Sequence, residues 1–280
     1  MFNPTLNSVY VVSNKNMHKN MKTYFLGILM LFNFISAQSL EPLKLDEKIA
    51  PYEIFLGTDE YDVPYFLSNN MLIKKTDTQV FEYKNLSLGT ISKIDLQNPL
   101  KIVLFYQDFN SIITLDNQLN ETNFVQLSNY KTPILATAVG MSAKNKFWIF
   151  NSLSQKIGLF DFLINEYQEI TPPINIITSF YNSDFNFISW IDTQNQLVTC
   201  DVFGKIESYT IQHKYDSILI IENYIIIGRQ KNQIFWVDVL KNTEKEIKIS
   251  EKTFENFSYK NQILTIFTNQ KLSRYKINLE

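Results

Sequence analysis

One pattern returns along this 280-residue chain about every forty residues, and it restricts the fold more than any motif does. Each copy is an apolar run, a turn rich in Asn, Gln, Asp and Ser, and a second, alternating run. The copies are MLIKKTDTQVFEYK (Met71–Lys84), IVLFYQDFNSIITLD (Ile102–Asp116) and FWIFNSLSQKIGLFD (Phe147–Asp161), then FISWIDTQNQLVTCD (Phe187–Asp201), IIIGRQKNQIFWVD (Ile225–Asp238) and ILTIFTNQKLSRYK (Ile263–Lys276). Each closes on a charged residue, at Lys84, Asp116, Asp161, Asp201, Asp238 and Lys276, so successive spacings are 32, 45, 40, 37 and 38. Four positions before each closing residue stands an aliphatic one: Val80, Ile112, Ile157, Leu197, Ile234 or Leu272.

The runs are short, β-branched or aromatic, and bounded by turn residues, so they read as strands. Shorter apolar stretches flank the hairpins, before them at Ile91–Leu96, Ile134–Val139, Ile176–Tyr181, Ser217–Ile221 and Phe254–Tyr259, and after them at Asn123–Leu127, Ile206–Ile211 and Lys245–Ile249. No capped stretch of helical period follows the N-terminal apolar run. Four strands per repeat predict an all-β fold, a single β-propeller of six blades over residues 38–280, each blade four antiparallel strands. The last copy reaches the C-terminus without a fourth strand, and Leu40–Ala50 has no hairpin of its own. That segment is expected to join the last blade and close the ring, removing an exposed edge. A seven-bladed ring with Tyr52–Leu67 as an extra blade, and a two-sheet sandwich, are the alternatives.

By period and strand pattern, nearly all of residues 38–280 resembles WD40-like and quinoprotein-like propellers. Trp236-Val237-Asp238 sits where a Trp-Asp dipeptide would fall, although the dipeptide itself is absent and the chain has only 7 Gly, few for a propeller.

The first 37 residues carry an address. Lys19 and Lys22 precede an apolar run from Tyr24 to Ile35, followed by Ser36-Ala37-Gln38. This is the layout of a secretory signal peptide cut after Ala37, with Met17 and Met21 as alternative starts. The run is shorter than the roughly 20 residues a membrane-spanning helix needs, so no transmembrane span is expected. Gln38 stands where a lipoprotein would carry Cys, and the sole cysteine, Cys200, forms no internal disulfide. An exported domain without disulfides fits a bacterial envelope. The abundance of Lys, Ile, Asn and Phe and the Ala-Gln junction resemble envelope proteins of Bacteroidota.

Catalytic chemistry is sparse. The net charge of -2, with Arg only at Arg229 and Arg274, leaves no basic footprint for nucleic acid. His18 leaves with the leader, so His213 alone remains, which excludes a His- or Cys-based metal site. Neither a phosphate-cradling Gly-rich loop nor a calcium loop occurs, so no cofactor or metal is expected. Asp59, Glu60 and Asp62 form the densest acidic cluster, readable as a carboxylate pair for glycoside hydrolysis or as a polar surface loop. Trp148, Trp190 and Trp236 read first as packing between blades, with Trp190 and Trp236 also candidates for a ligand-binding aromatic platform. Arg229 is a candidate carboxylate anchor.

Taken together, these residues predict an exported, non-enzymatic propeller in the periplasm or at the outer membrane. It would act as a protein–protein interaction scaffold on an envelope or outer-membrane protein, in outer-membrane assembly or secretion. A glycan-acting hydrolase and a lectin-like carbohydrate-binding propeller are the alternatives. Convergent carboxylates at the channel mouth would favour the first of these, exposed Trp and Tyr the second, and a broad apolar patch a protein partner.

Overall fold

The computed structural model describes residues 39–130, 132–174, 180–222 and 224–278. Residues 1–38, on which the expected signal peptide and its cleavage after Ala37 fall, and most of the stretch Ile176–Tyr181 lie outside the described residues.

The described residues form a ring of six blades of four antiparallel strands, one of which gains a short fifth strand on its outer edge. Within each blade the strands are lettered a to d from the axis outwards, and neighbouring a strands approach one another around the axis. Blade 1 contains Ile54–Thr58, Pro64–Ser68, Met71–Lys75 and Val80–Tyr83. Blade 2 contains Lys93–Asp95, Ile102–Tyr106, Ser111–Leu115 and Glu121–Gln126; blade 3, Ala136–Met141, Lys146–Asn151, Lys156–Asp161 and Glu166–Glu169. Blade 4 contains Tyr181–Ser183, Phe187–Ile191, Gln196–Asp201 and Ile206–Thr210; blade 5, Ser217–Glu222, Ile225–Gln230, Gln233–Asp238 and Thr243–Ile247. Blade 6 takes a, b and c from Asn256–Lys260, Ile263–Thr268 and Lys271–Lys276, and its d strand from Leu43–Ile49 near the other end of the chain.

That closure is the one expected, with one refinement. Leu43 pairs with Lys276 and Ile49 with Lys271, while Ser39 and Leu40 run parallel to Glu246 and Ile247 on the outer edge of blade 5. The segment therefore straddles two blades. Its side chains are mostly exposed, and charge replaces apolar burial: Arg274 binds Asp46 and also Asp62 of blade 1, and Lys271 binds Glu47 at 2.8 Å.

Two other readings change. The stretch Tyr52–Leu67 is no seventh blade: it supplies strands a and b of blade 1. The first hairpin is accordingly displaced by one strand, because Met71–Lys84 forms strands c and d, whereas the other five copies form b and c. The reason is chemical. In blades 2 to 5 the closing Asp caps the c–d turn, as when Asp116 Oδ1 accepts the Gln118 and Asn120 amides at 2.8 and 2.9 Å. In blade 1 that cap is Thr76, whose hydroxyl accepts the Gln79 amide at 2.9 Å. Lys84 has no such role.

The scarcity of glycine also has an explanation. Asn69-Asn70, Asn261-Gln262 and Asn269-Gln270 have positive φ at both positions, as tight hairpin turns of right-handed twist require. Asn tolerates this region better than other side-chain-bearing residues, so it stands where glycine is commonly used.

Each of the six blade interfaces has its own buried cluster. Trp148 and Trp190 fill that between blades 3 and 4, and Phe55, Phe66 and Phe267 that between blades 6 and 1. Large aromatic area compensates for sheets of only four short strands.

Candidate functional site

Because strands alternate in direction, the a–b and c–d turns emerge at one end of the ring, and the b–c and d–a connections at the other. Three cavities open at the a–b/c–d end. The central channel encloses about 660 Å³. A groove of about 550 Å³ runs between the turns of blades 4 and 5, beside Glu222, Tyr224 and Leu240. A third, of about 540 Å³, lies over the a–b turns of blades 2 to 4, beside Lys101 and Lys144. Phe185, in the a–b turn of blade 4, lines all three.

The Phe185 turn is fixed from several sides. Asp184 Oδ1 accepts the Asn186 and Phe187 amides at 2.7 and 2.8 Å, closing the turn. The Asp184 carbonyl accepts the Trp148 indole N–H at 2.8 Å, and the Phe185 carbonyl accepts the Ala143 amide at 3.0 Å. The backbone is thus bound to blade 3, while Phe185 as a whole stays 39% exposed. Around it the turn tips carry apolar side chains: Leu100 in blade 2, Leu163 and Ile164 in blade 3, Phe203 in blade 4 (88% exposed) and Leu240 in blade 5. The opposite end also bears exposed apolar residues, among them Leu86 and Leu153, but the three cavities do not open there.

Further in, the channel is crossed by polar groups. Lys93 of blade 2 reaches over to blade 4, where its ammonium donates to the Tyr181 carbonyl at 3.1 Å and lies 4.4 Å from the centre of the Tyr181 ring. Burial pulls the Lys93 pKa below the ordinary lysine value, opposed only in part by the charge of Asp95. Asp95 Oδ2 accepts the Met141 amide at 2.8 Å and the Ser183 hydroxyl at 3.4 Å, and Oδ1 accepts the Gln97 amide at 2.9 Å. One carboxylate therefore joins blades 2, 3 and 4. Gly140 permits this, since a Cβ there would overlap the Ser183 hydroxyl.

Of the residues singled out from sequence, Glu60 lies at the channel mouth and the others lie elsewhere. Trp190 is buried, 3% exposed, in the cluster between blades 3 and 4. Trp236 packs edge-on to Tyr259 at 5.3 Å between blades 5 and 6. Arg229 lies at the opposite end from the channel mouth, stacked 4.4 Å from the Phe254 ring and donating to the Lys231 and Glu255 carbonyls at 2.8 and 3.0 Å. The three do not meet. The acidic cluster diverges: Asp59 is fully buried and accepts the Tyr61 and Val63 amides and the Tyr65 hydroxyl, Asp62 pairs with Arg274, and Glu60 lines the channel mouth. His213 is exposed, 2.7 Å from Glu244. Among the described residues no three His, Cys, Asp or Glu side chains are grouped to hold a metal ion, and no helix is long and apolar enough to cross a membrane.

Sequence reasoning missed Lys93, Asp95, Tyr181, Ser183 and Phe185. Lys93 and Tyr181 stand 88 residues apart, and only closure of the ring brings them together.

No protein-family model matches the chain, and no curated protein matches it. Among solved structures, a member of the DUF4221 family from Bacteroides vulgatus is similar with a TM-score of 0.56, at 8% identity, over 88% of this chain and 99% of its own. A streptogramin B lyase has a TM-score of 0.52 at 14% identity, over 86% of this chain and 98% of its own. Virginiamycin B lyase from Staphylococcus aureus has 0.52 at 14% identity, over 80% of each chain. At such identities these likenesses concern the fold alone. In its own strand topology, and in the solved structures it resembles, the chain is a β-propeller.

Proposed function

We propose that this propeller is a non-enzymatic docking scaffold of the bacterial cell envelope, binding another envelope or outer-membrane protein through its a–b/c–d end. The observation that carries the reading is the meeting of three cavities at Phe185, inside a rim of exposed Leu163, Ile164, Phe203 and Leu240. Cavities and exposed apolar tips on one rigid face suit an interface that buries apolar anchors. Export by the N-terminal leader, cleavage after Ala37, and service in outer-membrane assembly or secretion complete the proposal.

The test uses the chain from Gln38 onward, tagged at the C-terminus, as bait in detergent extracts of membranes. We expect a reproducible partner whose capture falls about tenfold for Phe185→Ser combined with Leu240→Ser, a loss of roughly 1.4 kcal/mol. Leu153→Ser at the opposite end leaves capture unchanged. Equal recovery with both variants, or bait alone across several detergents, contradicts the reading.

A further inference from the structure

We propose that the floor of the central channel is a carboxylate site: the Lys93 ammonium, lying on the Tyr181 ring, receives one carboxylate from the partner docked over the channel mouth. This rests on the docking reading and adds the chemistry that the partner inserts.

Lysine carries three N–H donors. Among the described residues Lys93 donates one, to the Tyr181 carbonyl at 3.1 Å. No hydrogen bond or close ion pair joins Lys93 to Asp95, whose oxygens accept from Gln97, Met141 and Ser183 and which acts on the ammonium through its charge alone. The Lys93 ammonium, half-buried and with two N–H groups not bonded to protein, lines a cavity of about 660 Å³ and can donate both to a guest there.

The charge of the guest follows from its surroundings. Asp95 stands beside Lys93, and Glu60, Asp184 and Glu222 line the same channel with one further cation, Lys260, so the field there disfavours a dianion such as phosphate more strongly than a single negative charge. A singly charged carboxylate matches one lysine and accepts both spare N–H groups on its two oxygens. On a protein partner it comes either from the C-terminus or from an Asp or Glu side chain.

The experiment needs no partner. The purified chain from Gln38 is titrated with acetyl-trialanine bearing a free carboxylate, with the same peptide as its C-terminal amide, and with acetyl-Ala-Glu-Ala amide. Calorimetry and the ¹⁵N resonance of the Lys93 ammonium are the readouts. We expect a carboxylate peptide to bind about tenfold or more tightly than trialanine amide and to shift the Lys93 signal. Preference for the free C-terminus or for the glutamate identifies the source. Lys93→Met abolishes the difference; if that variant does not fold, the comparison of acid with amide in the unaltered chain decides alone. Acid and amide binding alike with the Lys93 signal unmoved, or no binding below about 10 mM, overturns the proposal and leaves a floor occupied by water. Failure to capture an envelope protein removes the docking reading, whereas discrimination between acid and amide is measured without it.

Discussion

Trp148 joins the core to the Phe185 turn of the proposed docking face, so its replacement by Phe is expected to be felt in both. The side chain is fully buried between blades 3 and 4, and its indole N–H is donated at 2.8 Å to the carbonyl of Asp184, the residue before Phe185. Truncating a buried Trp to Ala costs about 3–5 kcal/mol; keeping one ring reduces the apolar and cavity share to about 2 kcal/mol. The Asp184 carbonyl, left without its donor, adds about 1 kcal/mol. The sum of about 3 kcal/mol is a large part of a typical folding stability of about 5–15 kcal/mol. With a urea slope of about 3 kcal/mol per molar, the unfolding midpoint falls by about 1 M. Hydrogen exchange at the Ala143 amide, which donates to the Phe185 carbonyl, accelerates in parallel as the turn loosens. Trp236→Phe is the control: Trp236 is only partly buried, and the change costs less than about 1 kcal/mol. A Trp148→Phe midpoint within about 0.2 M of the unaltered chain, with Ala143 exchange unchanged, refutes the coupling.

Further expectations concern the closing strand and one turn. Arg274→Met and Asp46→Asn, combined in a double-mutant cycle by urea denaturation, show a coupling of about 1 kcal/mol, because the guanidinium binds both oxygens of Asp46; independent effects would contradict the latch. Glu47 is held at about 2 by hydrogen bonds from Lys271 and Lys44, and Asp46 is lowered by its bond to Arg274. Carboxylates depressed in the folded state stabilise it above their unfolded values near pH 4–4.5, and that contribution is lost as pH falls toward about 2. The difference in urea midpoint between the unaltered chain and Glu47→Gln therefore shrinks over that interval; a constant difference refutes it. Gly204 has φ +84°, and a Cβ there would overlap the Ile170 carbonyl oxygen. Gly204→Ala should cost at least about 2 kcal/mol, read as a lower melting temperature; a neutral result would contradict the close approach of that turn.

The blades were legible because burial between neighbouring sheets imposes itself on the sequence. Strands b and c, packed on both faces, read as apolar runs such as Ile102–Tyr106 and Phe147–Phe150. The closing strand was legible for the opposite reason, as a strand-length segment with no hairpin partner. The slip in blade 1 came from a substitution of cap chemistry, Thr76 for Asp, which hid the c–d turn and made Lys84 look like the closing residue. Of the site, only Glu60 at the channel mouth was among the residues singled out from the sequence. Lys93, Asp95, Tyr181 and Ser183 sit in short a strands of mixed polarity, and their meeting is a consequence of the axis rather than of spacing. Aromatic residues drew attention to Trp190, yet in a ring of small sheets the largest side chains fill blade interfaces. Phe185, in the turn Asp184-Phe185-Asn186, resembles any other exposed apolar residue until the three cavities around it are seen.

The most direct measurement places a photo-activated benzoyl-phenylalanine at position 185, and separately at position 153 on the opposite end, in cells that produce the protein. Docking through the channel face predicts one discrete cross-linked species from position 185, found in the membrane fraction, and none from position 153. Cross-linking of equal yield and pattern from both positions, or from position 153 alone, would contradict it.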